Sequence, residues 1–244
     1  MTDVAVLGVG HMGAQIVRAV RQAGMTVAVW NRTPARAAAL AGPQVEVHPT
    51  AAQAVAAAPV VLTCLLNYPA THEVIDAAAD ALPGKLVIQS SCGLPSDVDA
   101  LAHRVETAGA GYLEAVLLCY PTELGTNAAR VPHAGPQALL DAAQPLLDAL
   151  RGGRYLGEDP RTANAYYVLG CTLYYAVIAG ALAGAHITAA SGIDGKLLSQ
   201  VIESQFPSLL ETAQDTGSNI ETGRHSGEHN TLSVHKEALQ ELAR

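Results

Sequence analysis

The sequence has little positive charge and few aromatic residues. Of its 244 residues, 14 are Lys or Arg and 22 are Asp or Glu, so the formal net charge is −8. A chain with this balance offers no basic face that neutralises phosphates, which excludes nucleic acid as the expected partner. The sequence therefore predicts a small-molecule partner.

Closely spaced cysteines are also absent. The four cysteines lie in separate apolar stretches: Cys64, Cys92, Cys119 and Cys171. None forms a C-x-x-C pair, so we expect neither a zinc site nor a disulfide framework. His225 and His229 lack a third ligand, and we expect no metal there. The N-terminus has no basic region followed by an apolar segment, so we expect a cytoplasmic protein.

Charge is missing altogether from residues 162–193, which contain no Asp, Glu, Lys or Arg. Pro160 before this run suits the first turn of a helix, and Gly192 near its end suits a helix stop. We interpret the run as one long helix. Its length would permit a membrane span, but polar residues such as Asn164 and His186 interrupt it, and we expect none.

The alternative burial for such a helix is between two copies of the protein. Gly180 and Gly184 are four residues apart, with Ala176 one turn earlier, so one face permits close approach of two backbones. The sequence therefore predicts a homodimer built on this helix.

The N-terminal residues form a strand, a glycine loop and a helix in succession. A continuous apolar run ends at Leu7, and Gly8-Val-Gly-His-Met-Gly13 follows at once. In this context Gly8 permits the tight turn, Gly10 lets the backbone reach a diphosphate, and Gly13 lets helix and strand pack closely. The diphosphate is expected at the helix N-terminus, next to His11 and Met12.

The residues after the second strand indicate which dinucleotide binds. An NAD-binding protein has an acidic residue here for the ribose 2′-hydroxyl, whereas an arginine accommodates a 2′-phosphate. This sequence has Arg32 and Arg36, with Asn31 and Thr33 as neutral donors, and no acid. We therefore predict NADPH as the cofactor, although the arginines would also suit a solvated helix start.

Strands and helices alternate over residues 3–156, which predicts an α/β fold with a doubly wound parallel sheet. Ligands of such sheets bind at the carboxyl ends of the strands. We assign the residues at two of these ends to the cofactor crevice, although a hydroxyl there often only caps a helix: Leu65, Leu66, Ser91 and Cys92.

The rest of the chain is predicted to be helical, and three parts follow from this reading. They are a nucleotide-binding domain over residues 1–158, an interdomain helix over 159–192 and a small helical domain over 193–244. In the last part, we predict helices over 194–216 and 231–243 with a polar loop between them.

Together these residues resemble the imine reductases of the β-hydroxyacid dehydrogenase superfamily. The resemblance rests on the glycine loop with Val29-Trp-Asn-Arg-Thr33, then on Cys92-Gly-Leu-Pro95, Gly111-Tyr-Leu-Glu114, Pro121-Thr-Glu-Leu-Gly-Thr126 and the tyrosine-rich helix. It implies a Rossmann domain, a long interdomain helix, and a helical domain interlocked with that of a partner subunit. It also implies reduction of a C=N bond by NADPH.

Two departures from this family bear on the chemistry. Hydroxyacid dehydrogenases of the superfamily use a lysine early in the interdomain helix, and the lysines here are Lys85, Lys196 and Lys236. Many imine reductases have an aspartate in that region and others a tyrosine, and the matching position is Tyr167. Tyr167 is therefore the candidate proton donor or substrate anchor, with a core tyrosine as the alternative reading.

The substrate pocket is predicted around Tyr167. Glu123 is a candidate for holding a cationic substrate, or a solvated glutamate, and Leu118 and Cys119 suit a pocket wall or the sheet core. The remaining candidates are Tyr120, Tyr166, Cys171 and Tyr174. The alternative functions are a 3-hydroxy acid dehydrogenase and a dimer that binds NADPH without turnover.

Overall fold

The computed structural model describes residues 2–223 together with residues 234, 236, 237, 240 and 241. Its central feature is one eight-stranded sheet in the order β3-β2-β1-β4-β5-β6-β7-β8. The strands are Val4–Leu7 (β1), Val27–Trp30 (β2), Val45–Val47 (β3), Val60–Thr63 (β4), Leu86–Gln89 (β5), Gly111–Ala115 (β6), Val131–Ala134 (β7) and Gly153–Tyr155 (β8). The first six are parallel, β7 is antiparallel to β6, and β8 is parallel to β7.

Helices connect the strands and cover both faces of the sheet. The helices are His11–Gln22 (α1), Pro34–Ala38 (α2), Ala51–Ala57 (α3), Tyr68–Ala77 (α4), Pro95–Thr107 (α5), Leu140–Leu150 (α6), Arg161–Ala190 (α7) and Lys196–Thr222 (α8). The strand order reverses at β1, where β2 and β4 lie on opposite sides of it. In open α/β sheets this reversal opens a ligand crevice at the carboxyl ends of the strands.

Alternating side chains of the strands belong to two separate hydrophobic cores. In β1, Val4 and Val6 pack with α1 and α6 on one face, and Ala5 and Leu7 pack with α3 and α5 on the other. All four residues are fully buried, as expected of a parallel strand covered on both faces. The predicted doubly wound fold is confirmed.

The structure also contains elements that the sequence pattern did not predict. These are β7 and the helix α4. The apolar runs over residues 59–66, 86–92 and 111–119, which predict strands, extend beyond the observed ends of β4, β5 and β6. Pro132 lies inside β7, and a proline normally argues against a sheet strand because it cannot donate to the ladder. The apolar run after β6 continues as irregular backbone whose N–H groups bond to Arg130 and Pro132.

The chain divides into two compact units, Met1–Leu173 and Tyr174–Arg244. The second unit contains the end of α7 and all of α8. The prediction of a polar loop from Gly217 onward is wrong for residues 217–222, because α8 continues to Thr222. Much of that loop and of the last predicted helix lies outside the described residues, as do His225 and His229.

The long apolar helix is confirmed as α7, and Gly192 beyond it has the positive φ of a helix stop. By length and composition alone, α7 is the one described helix that could cross a membrane, with a mean hydropathy of 1.7 and no burial of that window within this chain. The two glycines of the predicted dimer face, Gly180 and Gly184, have different surroundings. A Cβ on Gly184 would lie 2.8 Å from Leu198 of α8, so this position packs within the subunit, while Gly180 has open space around it within the described part of the chain.

Candidate active site

The three glycines of the N-terminal loop have different surroundings. Gly8 has a φ of +97°, and a Cβ there would lie 2.3 Å from the Cys64 carbonyl oxygen. A Cβ on Gly13 would lie 2.0 Å from the carbonyl oxygen of Gly8. Gly10, in contrast, would meet no described atom within 4 Å. Gly8 is therefore required by its positive φ and its close approach to Cys64 after β4, and Gly13 by the close approach of α1 to Gly8, whereas Gly10 faces an open cleft.

The cleft of about 370 Å³ lies against the N-terminus of α1. Ala14 donates the first intrahelical hydrogen bond to Gly10, at 2.9 Å, so the N–H groups before it have no acceptor within the helix. The first turn carries no acidic side chain. These N–H groups and the helix dipole favour an anion, which fits a diphosphate.

Most of the predicted cofactor residues line this one cleft. They are Gly8, Gly10, His11, Met12, Gly13, Asn31, Arg32, Thr33, Arg36, Leu65 and Leu66. Arg32 and Arg36 are exposed, so their guanidinium groups are available to a phosphate. Asn31 accepts a hydrogen bond from Val9 N–H and donates one to Thr33 C=O, both at 3.0 Å, so it chiefly holds the loop.

Ser91 differs from its predicted place in the crevice. It is 2% exposed, and its hydroxyl oxygen accepts a hydrogen bond from Leu65 N–H at 2.9 Å. A second contact of 3.1 Å joins it to the Thr71 hydroxyl. Ser91 therefore lies beneath the cleft and holds the segment after β4 that forms the cleft wall.

Tyr167 lies in the first half of α7 with a thiol on either side. Its hydroxyl contacts Cys92, which follows β5, and Cys171, one turn later in α7. The hydrogen bond with Cys92, then partial burial, then the bond with Cys171 raise the pKa of Tyr167 well above its usual range. The phenol therefore stays protonated at neutral pH and remains a donor.

Two apolar pocket candidates have different positions. Leu118 packs near Gly170 of α7, where a Cβ would lie 3.5 Å from its Cδ1 atom. Cys119 packs against the core on the α1 side of the sheet, and its burial raises the pKa of the thiol. The structure therefore favours Leu118 over Cys119 as part of a wall near α7.

The polar and aromatic candidates do not form one group. Glu123 Oε2 accepts a hydrogen bond from Tyr120 N–H at 2.7 Å and so closes a short 3-10 turn. Tyr166 is exposed beneath the guanidinium of Arg154, 5.9 Å from its ring centroid. Tyr174 belongs to the second unit, where its ring packs edge-on against Tyr175.

Sequence reasoning missed a buried polar group beneath Tyr167. Glu114 of β6 is fully buried, and its Oε1 accepts hydrogen bonds from the hydroxyls of Tyr68 and Tyr112. Asn164 of α7 donates to the Tyr68 hydroxyl at 2.8 Å. A glutamate inside an apolar strand pattern was a signal, because such a residue needs buried partners.

A larger hollow of about 790 Å³ lies elsewhere, between α6 and β8. Its walls include Asn127, His133 and Arg151, and it contains none of the glycine loop. It is more open than the cleft at α1 and lies away from the topological reversal at β1, so we assign the site to the cleft at α1.

The sheet, the glycine loop and the cleft at its reversal point define a protein of the dinucleotide-binding Rossmann class. Residues 3–153 match the family described as the NAD binding domain of 6-phosphogluconate dehydrogenase, and residues 159–244 match the C-terminal domain of NADPH-dependent reductive aminase-like proteins. The chain belongs to the family of the NAD binding domain of 6-phosphogluconate dehydrogenase. Its resemblance to the imine reductases is confirmed.

Individual relatives agree with this assignment. An NADPH-dependent reductive aminase of Aspergillus oryzae is 27% identical over 73% of this chain and 61% of its own length. The chain thus spans only about three fifths of that curated relative. An L-threonate dehydrogenase of Cupriavidus necator is 26% identical over 92% of this chain and 84% of its own length. A Streptomyces aurantiacus imine reductase superposes with a TM-score of 0.92, 26% identity, and coverage of 98% of this chain and 85% of its own.

Proposed function

We propose that the protein is an NADPH-dependent reductase that acts on the C=N bond of an imine or iminium ion. The observation that carries this proposal is the presence of Tyr167, and the lack of any lysine, in α7, the helix that follows the dinucleotide domain. A hydroxy acid dehydrogenase of this superfamily would need a lysine there as base and carboxylate binder. A neutral hydrogen-bond donor suits a substrate nitrogen instead.

The residues of the cleft at α1 fit NADPH. The diphosphate is assigned to the N–H groups at the start of α1, with Gly10 leaving room for it. Arg32 and Arg36 are assigned to the 2′-phosphate, since charge-assisted hydrogen bonds from guanidinium groups suit a phosphate. The relative from Aspergillus oryzae, which is named as NADPH-dependent, supports this assignment.

Bound NADPH supplies hydride from its nicotinamide C4 to the carbon of the C=N bond. Tyr167 donates a hydrogen bond to the lone pair of a neutral imine nitrogen and so orients the C=N bond for attack. Its high pKa makes the phenol a weak acid at neutral pH, so we assign it orientation first and proton donation in the transition state second. Leu118, beside α7, keeps water from the reacting carbon.

The proposal also includes a homodimer. Large apolar side chains lie exposed along both long helices: Leu169, Leu173, Val177, Ile178, Leu182 and Ile187 on α7, and Leu197, Val201, Ile202, Phe206, Leu209 and Leu210 on α8. Exposed apolar side chains in such number mark an interaction site. A second copy is the proposed occupant, because both long helices expose apolar side chains and the resemblance to imine reductases implies interlocked subunits.

A substrate panel tests the activity. The purified protein is mixed with NADPH and a cyclic imine, with NADPH and a 3-oxo acid, or with NADP⁺ and a 3-hydroxy acid, while the absorbance of the reduced nicotinamide is followed. We expect oxidation of NADPH with the imine. Turnover with only the oxo or hydroxy acid would support a dehydrogenase like the similar L-threonate dehydrogenase, and binding without turnover would support a non-catalytic dimer.

A further inference from the structure

A buried hydrogen-bond network joins three elements beneath Tyr167. Glu114 lies near the end of β6, Tyr68 begins α4 after β4, and Asn164 lies in the first turn of α7. Tyr68 donates its hydroxyl hydrogen to Glu114 and accepts a hydrogen bond from Asn164, at 2.8 Å. We call Glu114, Tyr68, Tyr112 and Asn164 the Glu114 network. All four residues are buried, and none lines the cleft at α1.

The network lacks a donor for two of its acceptors. Glu114 Oε2 and Asn164 Oδ1 are buried acceptors without a hydrogen-bond partner among the described residues. Burial raises the pKa of Glu114 to about 8, although hydrogen bonds from Tyr112, Tyr68 and Asn164 lower it in part. A proton on the carboxyl group at neutral pH supplies the missing donor and removes the cost of a buried charge.

Two contacts connect the Glu114 network to Tyr167 and Cys92. The ring of Tyr68 covers Gly93, where a Cβ would lie 2.3 Å from two ring carbons, and Gly93 directly follows Cys92. Asn164 precedes Tyr167 by three residues, so the two side chains are neighbours on one face of α7. The Glu114 network therefore holds both partners of the contact between Cys92 and Tyr167.

We propose that Glu114 is a positioning residue, which acts through Tyr68 and Asn164 to hold the Tyr167 hydroxyl against Cys92 at the carboxyl ends of β4 and β5. The part of this inference that concerns kcat rests on the proposed imine reduction. The part that concerns the contact between Tyr167 and Cys92 does not depend on turnover.

An apolar core would not serve this purpose equally well. An apolar side chain in place of Glu114 would leave the hydroxyls of Tyr68 and Tyr112 without an acceptor, at a cost of about 1–3 kcal/mol for each unsatisfied group in general. A satisfied polar network permits fewer alternative arrangements than apolar packing, because each hydrogen bond requires one geometry. Placement of α7 to within less than 1 Å is what a positioned donor requires.

The test compares three substitutions with a surface control. Glu114→Gln keeps an acceptor for the tyrosines and adds an N–H donor, whereas Glu114→Leu removes both functions. Tyr68→Phe removes only the hydroxyl that links Glu114 to Asn164 and keeps the ring over Gly93. The matched control is Glu106→Gln on the exposed side of α5. Thermal melts identify the variants that fold, and Tyr68→Phe decides the test if Glu114→Leu does not fold.

We expect Tyr68→Phe and Glu114→Leu to lower kcat for a cyclic imine about tenfold and to change the Kd of NADPH less than about twofold, because small misplacements of a donor chiefly affect the transition state. Glu114→Gln should retain kcat within about threefold, because a neutral amide replaces a neutral acid. Equal losses in kcat and NADPH affinity would overturn the positioning role.

A second readout requires no turnover. Cys92 is exposed, and its reaction with a disulfide reagent such as dithiodipyridine can be followed by mass spectrometry of the peptides. Release of Tyr167 should speed this reaction in Tyr68→Phe and not in Glu114→Gln or Glu106→Gln. If the wild-type protein reduces no imine, the proposed function fails while the Cys92 rates still decide the inference. A folded Tyr68→Phe protein with an unchanged Cys92 rate would overturn it.

Discussion

At the scale of single residues, the protonated state of Tyr167 is the main chemical fact of the site. The contact with Cys92, partial burial and the contact with Cys171 all raise the pKa of the phenol. An aspartate in its place would hold a cation by charge, whereas the phenol only donates a hydrogen bond. The proposed reaction therefore depends on orientation of the substrate nitrogen more than on charge attraction.

Removal of the Tyr167 hydroxyl tests this role. Tyr167→Phe should lower kcat for imine reduction by at least about tenfold and leave the Kd of NADPH nearly unchanged, because the hydroxyl is assigned to the transition state and not to the cofactor. Steady-state kinetics and nucleotide titration measure the two effects. Tyr155→Phe is the control, since its hydroxyl donates to the Gly135 carbonyl outside the site. An unchanged kcat would remove Tyr167 from the mechanism.

Cofactor choice is tested at Arg32. Arg32→Ala should raise the Kd of NADPH about tenfold or more, because a charge-assisted hydrogen bond contributes roughly 1.5–3 kcal/mol. The Kd of NADH, which lacks the 2′-phosphate, should change little. Arg18→Ala on the exposed face of α1 is the control for the loss of one positive charge. Equal weakening of both nucleotides would contradict the assigned contact.

Protonation of Glu114 predicts a dependence of stability on pH. The pKa of this residue is about 8 in the folded protein and 4.5 ordinarily, so between these values the folded chain holds a proton that the unfolded chain releases. Stability should therefore fall as the pH rises from 4.5 to about 8, by at most about 1.4 kcal/mol per pH unit from this group.

Glu114→Gln carries no titrating proton and should lack this contribution. In thermal melts at several pH values, the melting temperature of the variant should rise relative to that of the wild-type protein from pH 4.5 upward. This difference should not increase further above about pH 8. A difference in melting temperature that stays constant over this range would show that Glu114 is already ionised in the folded state.

Residue patterns revealed the cofactor cleft better than the substrate side. The glycine loop, Arg32 and Arg36 were predictable because they follow two consecutive parallel strands, β1 and β2, whose carboxyl ends lie side by side. Glu114, Tyr68 and Asn164 come from distant parts of the chain, and nothing in their local pattern shows that they meet. The position of Ser91 beneath the cleft likewise depends on the packing of neighbouring loops.

At the scale of elements, the junction of β1 and α1 makes the dinucleotide site possible. Gly8 and Gly13 let the helix start directly over the strand, which aims the first N–H groups of α1 at the cleft. Gly10 contributes space and not packing. Two glycines of one loop thus serve stability, and the third serves binding.

Substitution of these glycines by alanine should separate the two roles. Gly13→Ala should lower the melting temperature, because its Cβ would meet the Gly8 carbonyl oxygen and overpacking costs about 1–3 kcal/mol. Gly10→Ala should leave the melting temperature nearly unchanged and weaken NADPH binding about tenfold or more, because its Cβ occupies the path of the diphosphate. A Gly10→Ala protein with full NADPH affinity would show that the diphosphate lies elsewhere.

Local pattern predicted the elements whose apolar residues form continuous buried runs, such as β1, β2 and α7. It failed where tertiary packing decides the conformation. The strand β7 contains Pro132 and is completed by its neighbours β6 and β8, and α4 depends on Tyr68 being buried. The helix α8 passes through Gly217, a residue that the local pattern assigned to a loop.

At the scale of the whole molecule, the proposed homodimer rests on the exposed apolar side chains of α7 and α8. The predicted homodimer stays a prediction, as does the cytoplasmic location. Gly184 packs against Leu198 of the same chain, so the surface offered to a second copy is larger side chains and Gly180. Among these side chains, Leu182 is 67% exposed.

A charged side chain in place of Leu182 tests the homodimer. Leu182→Glu should shift the molar mass in light scattering from twice the chain mass toward the chain mass, because an interface buries a carboxylate only at high cost. Ala77→Glu, on the exposed side of α4 in the first unit, is the control and should remain dimeric. A wild-type protein that is monomeric at all concentrations would remove the homodimer from the account.

The most direct test of the central claim follows the hydrogen that NADPH transfers. The protein is incubated with a cyclic imine and NADPH in which both hydrogens at nicotinamide C4 are replaced by deuterium, and the amine is analysed by mass spectrometry. The account predicts an amine with one deuterium on the former imine carbon, formed with NADPH and far more slowly with NADH. Bound NADPH that transfers no deuterium to any imine, or transfers it only to a 3-oxo acid, would contradict it.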